Sequence, residues 1–394
     1  MIEHHRMNDM KILYILNSTV MGGANISFLN MVTGLQQKGV VPFVALPNCH
    51  TNQGFITILE QNRIAYFSVP IATSVFSHLK KHHFLHWLKQ YILMPIKKKE
   101  SERKLADIIM KVNPDIIHTN VGIVHEGFHL AQKYGIPHVW HLREYQTKGF
   151  NWHIYPCYKT FCSYLNKSFV ITITDDIKSF FKLDKNGKAH TIYNGIFHKS
   201  DVCYIKEKEN YFLLSSRISP EKMHLDVVKA FSSFSKKDSY RLLIAGTGSE
   251  EYKAEILKTA KSLRCEDRID FIGFHHDVRP LMSKAKALIV ASWYEGFGRM
   301  TAEAAFCGTL TIGRNTAGTK EILDVIGGFP FTTVDEMTLQ MEKVAEMFPN
   351  DYEAKALTAQ KEAVAHYSIE NNVNQVYSLY CDVLRDAKKL SKDY

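Results

Sequence analysis

Short apolar runs alternate along the chain with longer stretches in which apolar residues recur every three or four positions. Lys11–Asn17 (KILYILN) reads as a buried strand. Gly22-Gly23 then opens a helix whose apolar residues are Ile26, Leu29, Val32 and Leu35. Val41–Pro47, Ile64–Pro70, Asp115–Asn120, His138–Leu142, Ser168–Thr174 and His190–Asn194 read as further strands. Strands that are apolar on both sides, separated by helices, predict a parallel sheet covered on both faces.

The pattern then restarts. Tyr211–Ser216, Tyr240–Gly246, Ile269–Phe274, Ala287–Ser292 and Thr309–Arg314 are a second set of strands with helices between them. Residues 195–210 are charged and aperiodic, so the interdomain linker is expected there. A long amphipathic helix is expected over Ile369–Leu390. The chain of 394 residues is too long for one ordinary core. The expected fold class is α/β, with two Rossmann-like doubly wound domains facing a central cleft. The first domain is 1–194, with the terminal helix 369–394 packing back on it; the second is 195–368. Such sheets bind ligands at the carboxyl ends of their strands, so the chemistry is sought on loops that follow strands.

Composition narrows the class. Hydrophobic content of 45% and charged content of 23% fit a folded globular protein. No stretch offers about 20 consecutive apolar residues for a bilayer span. The early apolar run Ile12–Leu16 is shorter than a secretory core of about 7–15 residues. The seven cysteines are scattered and odd in number, which predicts reduced thiols and a cytoplasmic location. A net charge of +9 admits an anionic partner without choosing one. No nucleic-acid-binding module is evident, and none is expected as a partner.

The densest chemistry lies at Ser292-Trp-Tyr-Glu-Gly-Phe-Gly-Arg-Met-Thr-Ala-Glu303. A strand ends, Glu295 follows, then Gly296 and Gly298, then a helix over 299–307 with Glu303 one turn inside it. Glycines let backbone N–H groups approach a ligand, and a helix N-terminus favours an anion. A diphosphate resting there, with carboxylates on sugar hydroxyls, is one reading; a tight turn with two solvated glutamates is the other.

The spacing Glu295-x7-Glu303 within EGFGRMTAEAAFCG resembles the donor-site motif of retaining GT-B glycosyltransferases, glycosyltransferase family 4 (glycosyl transferases group 1). Ser215–Lys222 (SSRISPEK), Leu242–Glu251, Phe271–Val278, Thr191–Ile196 and Gly318–Leu323 resemble other segments of that family, in its order. The resemblance is strongest over 191–323 and looser from Lys11. It implies that Arg217 and Lys222 grip the donor diphosphate, a task that needs no metal and no other cofactor. It implies that Glu303 accepts from the ribose hydroxyls and Glu295 contacts the transferred sugar. Phe297, Gly298, Arg299 and Met300 fall on the stretch that lines the donor. Gly22 and Gly23 match the loop that meets phosphate or acceptor from the first domain, and His141 the histidine that reaches the sugar. The implied partners are a nucleotide-sugar, UDP favoured over GDP, and a glycan or lipid-linked acceptor of cell-surface polysaccharide synthesis. Departures from the family pattern are Ser216, Met223, Arg299 and Ala317; the first, second and last stand where glycine is usual. Arg143 and Glu144 beside His141 are candidates for reading an acceptor or for pairing with each other.

Two other signals carry competing readings. His125-Glu-Gly-Phe-His129 is a literal H-E-x-x-H, the spacing of zinc hydrolases, on an expected crossover helix. Residues 78–104 are basic and aromatic, and Phe84, Leu85, Trp87, Leu88, Tyr91 and Ile92 approximate one helical face. That pattern fits a helix packed on the sheet, or peripheral contact with an anionic membrane at its inner face. A catalytically idle sugar- or nucleotide-binding subunit of the same fold is the remaining alternative.

Overall fold

The computed structural model describes residues 10–48, 51–77, 84–147 and 152–390. They form two compact units, divided between Gly195 and Ile196 and again between Ser368 and Ile369, so that the residues after Ser368 belong with the first.

The first unit contains strands β1 (Met10–Ile15), β2 (Val40–Pro47), β3 (Ala65–Val69), β4 (Val75–Ser77), β5 (Ile116–Thr119), β6 (His138–Leu142), β7 (Trp152–Ile154), β8 (Phe169–Thr172) and β9 (Ala189–Thr191). Seven form one sheet in the order β3-β2-β1-β5-β6-β8-β9, every pair parallel. β4 and β7 make a separate antiparallel pair. Alternation along β1 divides the core. Ile12, Tyr14 and Leu16 join Phe28, Val32 and Leu35 of the Gly23–Gln36 helix, and Val373, Val376, Tyr380 and Val383 of the Ile369–Leu390 helix. Leu13 and Ile15 join Leu105, Ile108 and Ile109 of the Phe84–Val112 helix. Gly34 lies inside the Gly23–Gln36 helix because an added Cβ would stand 2.4 Å from Val373 Cγ2.

The second unit contains β10 (Glu209–Ser215), β11 (Arg241–Ala245), β12 (Ile269–Gly273), β13 (Ala285–Val290), β14 (Thr311–Arg314) and β15 (Phe329–Phe331). Their order is β12-β11-β10-β13-β14-β15, again parallel. Phe212 and Leu214 meet Val227, Val228 and Phe231 on one face; Leu213, Leu288 and Val290 meet Met282, Ala304 and Cys307 on the other. Each fully buried side chain of this kind contributes about 1.5–3 kcal/mol.

One expectation is corrected. The segment expected as a linker is instead packed on the second unit. Phe197 bridges to Ser368 and its ring lies 5.6 Å from Phe306. The Cys203 amide donates to Phe306 O, and Lys208 Nζ to Ser283 O and Gly308 O. Its charges mislead because Lys208 is used to satisfy carbonyls.

The basic stretch 78–104 is expected to form a helix packed on the sheet or meeting a membrane, and the later turns of that helix do pack on the sheet through Leu105, Ile108 and Ile109. Its helix runs Phe84–Val112, and 78–83 lie outside the described residues. Lys98 is buried in it, with Nζ 3.1 Å from the fully buried Glu126 Oε1.

The H-E-x-x-H run, one of the competing readings, is divided among separate partners. His125 precedes the Glu126–Tyr134 helix as its N-cap, with its ring stacked on Phe161. Glu126 is taken by Lys98, and His129 pairs with Glu102 at 2.9 Å. Its three side chains are thus committed to three different sets of partners. Among the described residues no group of three or more His, Cys, Asp or Glu side chains could hold a metal ion. Among the same residues no helix is long and apolar enough to cross a membrane.

Candidate active site

The carboxyl edge of the second sheet carries most of the residues singled out above. Arg217 follows β10, on a loop pinned to the one after β11. Ser216 and Ile218 amides donate to Ala245 O and Thr247 O. A Cβ on Gly246 would fall 1.9 Å from Ser216 O, and one on Gly248 2.1 Å from Ile218 O. Only glycine permits this backbone contact, and it fixes where Arg217 begins. The Arg217 guanidinium pairs with Glu221. Lys222 ends the short turn Pro220–Lys222. Its Nζ lies 2.5 Å from Glu295 Oε1 in the loop after β13, both side chains being about a fifth exposed.

Gly298, at φ +79°, caps the Arg299–Phe306 helix without a side-chain hydrogen bond, and no acid stands in the first turn. A helix N-terminus of this kind favours an anion, although its Thr301 amide already donates to Gly298 O. Phe297 is buried edge-on to Tyr367, and Met300 packs against the core beneath. Arg299 Nε lies 2.5 Å from Glu303 Oε1. Burial pushes the Glu303 carboxyl up from its usual range, and Arg299 is the main opposing influence. Gly318 N donates to Glu295 O; a Cβ on Gly318 would stand 2.7 Å from the Phe297 carbonyl carbon.

The departures from the glycine pattern now have a geometry. Met223 sits at φ +58° and Ala317 at φ +50°, the left-handed region that glycine occupies without cost and other residues enter at about 1–2 kcal/mol. Ser216 is not among the positive-φ residues.

In the first unit, Gly22 is the exposed N-cap and Gly23 the first residue of the helix after β1. Asn25 Nδ2 ties the helix to the preceding loop through Ser18 O and Val20 O, and a Cβ on Gly22 would meet nothing within 4 Å. His141, on β6, is fully buried. The neighbouring Arg143 does not pair with Glu144. Its Nε and Nη2 donate to Asn120 Oδ1 at 3.0 and 2.8 Å, and its Nη1 to Asn194 Oδ1 at 2.7 Å. Burial pulls the guanidinium down to about 9 and pushes Glu144 up to about 7. His118 joins the cluster, its ring 5.4 Å from that of His141 and its Nδ1 2.6 Å from Tyr380 Oη. Asn120, Asn194, His118 and Tyr380 were not singled out from the sequence. The usable signal was the asparagine that closes each of the runs DIIHTN and HTIYN; Tyr380 had no local signal.

Residues 199–359, which include Arg217, Lys222, Glu295 and Glu303, match the family model of glycosyl transferases group 1. The N-acetyl-alpha-D-glucosaminyl L-malate synthase of Bacillus anthracis is 29% identical over 221 residues, 52% of this chain and 56% of that protein. The O-antigen chain mannosyltransferase RfbU of Salmonella typhimurium is 30% identical over 203 residues, 51% and 54% of the two chains. The alignments thus span about half the length of these curated relatives. The crystal structure of Anabaena HepE in complex with UDP superposes with a TM-score of 0.77 at 19% identity, over 95% of this chain and all of that one. The fold is that of the GT-B glycosyltransferases.

Proposed function

We propose that this protein is a retaining glycosyltransferase that moves a sugar from a UDP-sugar to a glycan or lipid-linked acceptor of a cell-surface polysaccharide. The observation that carries the reading is the constellation on the second sheet's edge: Arg217, Lys222, Glu295 and Glu303 around a helix N-terminus without a side-chain cap or first-turn acid. UDP is favoured because HepE, of the same fold, was crystallised with it. The family of the matched segment and the O-antigen role of one relative favour a surface glycan.

The chemistry follows from charge. Three cations rest on three carboxylates: Arg217 on Glu221, Lys222 on Glu295, Arg299 on Glu303. A diphosphate competes for Lys222 and Arg217, and releasing Lys222 frees Glu295 for sugar hydroxyls. As the glycosidic bond breaks, negative charge grows on the departing diphosphate, so fixed cations stabilise the transition state more than the bound donor. No protein nucleophile and no metal is invoked. Helix Phe84–Val112 exposes Ile92 and Ile96 beside Lys97 and Lys99, which supports peripheral contact with an anionic membrane on the cytoplasmic side.

The test is a panel of UDP-, GDP- and ADP-sugars scored by thermal protection, followed by transfer assays with EDTA present. The best UDP-sugar should protect and its transfer product should keep the donor's anomeric configuration. Lys222→Ala should lower kcat about 10–150-fold, as expected for loss of one charge-assisted contact of about 1.5–3 kcal/mol. Glu303→Ala should mainly raise the donor KM. Wild-type turnover in Lys222→Ala, an inverted linkage, or dependence on added Mg2+ would each refute the mechanism. Protection without turnover on any acceptor tried would favour an idle binding subunit.

A further inference from the structure

Two cysteines far apart in the chain meet at the end of the helix that carries Glu303. Cys307 caps the C-terminus of the Arg299–Phe306 helix and is buried in the core beneath it. Cys203 lies on the segment 196–208, half-buried, and packs against that same core. Backbone contacts hold the two in register. The Cys203 amide donates to Phe306 O at 3.1 Å, and Gln360 Nε2 donates both to Cys203 O at 2.9 Å and to Phe306 O at 2.8 Å. Gly308 follows at φ +59°, where a Cβ would stand 2.6 Å from the Tyr204 ring and 3.3 Å from Cys203 O. The two segments approach this closely because Gly308 has no side chain. Both sulfurs are free thiols, and they hydrogen-bond each other.

The two sulfurs are unequal. The hydrogen bond from Cys307, aided by the Lys208 and Arg279 cations, pulls the Cys203 thiol down to about 6 against the cost of its burial. Lys208 is fixed at this place by the Ser283 and Gly308 carbonyls. The same hydrogen bond, with burial, pushes the Cys307 thiol up. The thiolate is the nucleophile of cysteine chemistry. Cys203 is therefore the sulfur that an oxidant meets and is attacked by, and Cys307 is the protonated sulfur waiting behind it. An accessible thiolate poised next to a second thiol is the arrangement that suits reversible oxidation.

We propose that Cys203 and Cys307 are a reversible redox couple that closes to a disulfide when the protein meets a peroxide, clamping the segment 196–208 to the helix that carries Glu303. The Cys203 thiolate attacks one oxygen of hydrogen peroxide. The O–O bond breaks, hydroxide leaves and takes a solvent proton to become water, and Cys203 becomes a sulfenic acid. The Cys307 sulfur then attacks the Cys203 sulfur; its proton goes to the departing hydroxyl, which leaves as a second water. Two thiols lose two electrons and the peroxide gains them. The Cys307 amide donates to Glu303 O at 3.1 Å, so drawing the Cys307 sulfur to bonding distance displaces the turn that holds Glu303. The effect on donor binding rests on the glycosyltransferase reading; the disulfide does not.

The full-length reduced protein is treated with hydrogen peroxide, blocked with iodoacetamide under denaturing conditions and digested. Mass spectrometry should find the Cys203 and Cys307 peptides joined, and dithiothreitol should separate them again. Cys307→Ser should leave Cys203 as a sulfenic acid trapped by dimedone, whereas Cys203→Ser should leave Cys307 unmodified. Oxidation should raise the donor KM of the wild type about tenfold, the effect of weakening one charge-assisted hydrogen bond, and leave that of Cys307→Ser in place. Peroxide that leaves the two thiols separate, or that joins Cys203 to a different cysteine, overturns the proposal. An oxidised protein with the KM of the reduced one overturns the coupling to Glu303. Should the serine variants fold poorly, the wild type decides through phenylarsine oxide, which bridges only neighbouring thiols; it should shield Cys203 and Cys307 together from alkylation, and shielding of neither refutes the pair. If the reduced protein turns over no nucleotide-sugar, the glycosyltransferase reading falls while the peptide map still decides the couple.

Discussion

Arg299 shows how one side chain can change the chemistry of a site without touching its acids. It occupies a position that is usually aliphatic in the family the sequence resembles, and it lies against the buried Glu303. A carboxyl whose folded-state pKa is raised by burial stabilises the protein below its unfolded value, about 4.5. That contribution is lost as pH climbs through the folded value. Arg299 opposes the rise, so Arg299→Leu should raise the Glu303 pKa further. The variant's deficit in unfolding free energy should be small near pH 4.5 and grow towards neutrality, reaching about 1.5–3 kcal/mol for a lost charged hydrogen bond. Urea titrations at several pH values measure it; a deficit independent of pH would contradict the pairing. Part of this was legible beforehand. Arg299 stood out as a departure and Glu303 as a motif member, yet nothing in the spacing alone showed that each would be the other's partner. The left-handed Met223 and Ala317 were flagged only as missing glycines, because a sequence carries no torsion angles.

Helix Phe84–Val112 combines two kinds of lysine that composition cannot separate. Lys97 and Lys99 are exposed, whereas Lys98 between them is buried against Glu126. Lys98→Met should therefore cost on the order of 3 kcal/mol, the usual result of leaving one half of a buried ion pair behind, with anionic-vesicle binding unchanged. Ile92→Ser with Ile96→Ser should do the reverse, weakening vesicle sedimentation and leaving the urea midpoint nearly in place. Equal behaviour of the two variants would show that the helix does not divide its faces this way. The parallel sheets were readable because strands apolar on both sides leave few alternatives. The short strands Val75–Ser77, Trp152–Ile154 and Phe329–Phe331 were not, since three residues carry no periodicity. The strap over 196–208 was missed because its charge resembled solvation.

At the scale of the molecule, the first unit is built from two separate stretches of chain. Val376, Tyr380 and Val383 of the terminal helix are fully buried in its core, and Tyr380 holds His118. Removing residues 369–394 should unfold the first unit and leave the second, whose core is drawn wholly from 196–368. Hydrogen exchange should show protection surviving in β10–β15 and lost from β1–β9. Survival of both sets would mean that the helix merely decorates the surface.

That same division sets an order of completion during synthesis. Domains usually fold from the N-terminus as they leave the ribosome. Here the first sheet emerges early but stays open along the face that the terminal helix covers. Residues 196–368 can close while the earlier unit still waits for its last 22-residue helix. Until translation reaches that helix, Ile12, Tyr14 and Val32 remain uncovered on that side, so the nascent chain passes through an interval in which a chaperone has an apolar sheet face to hold.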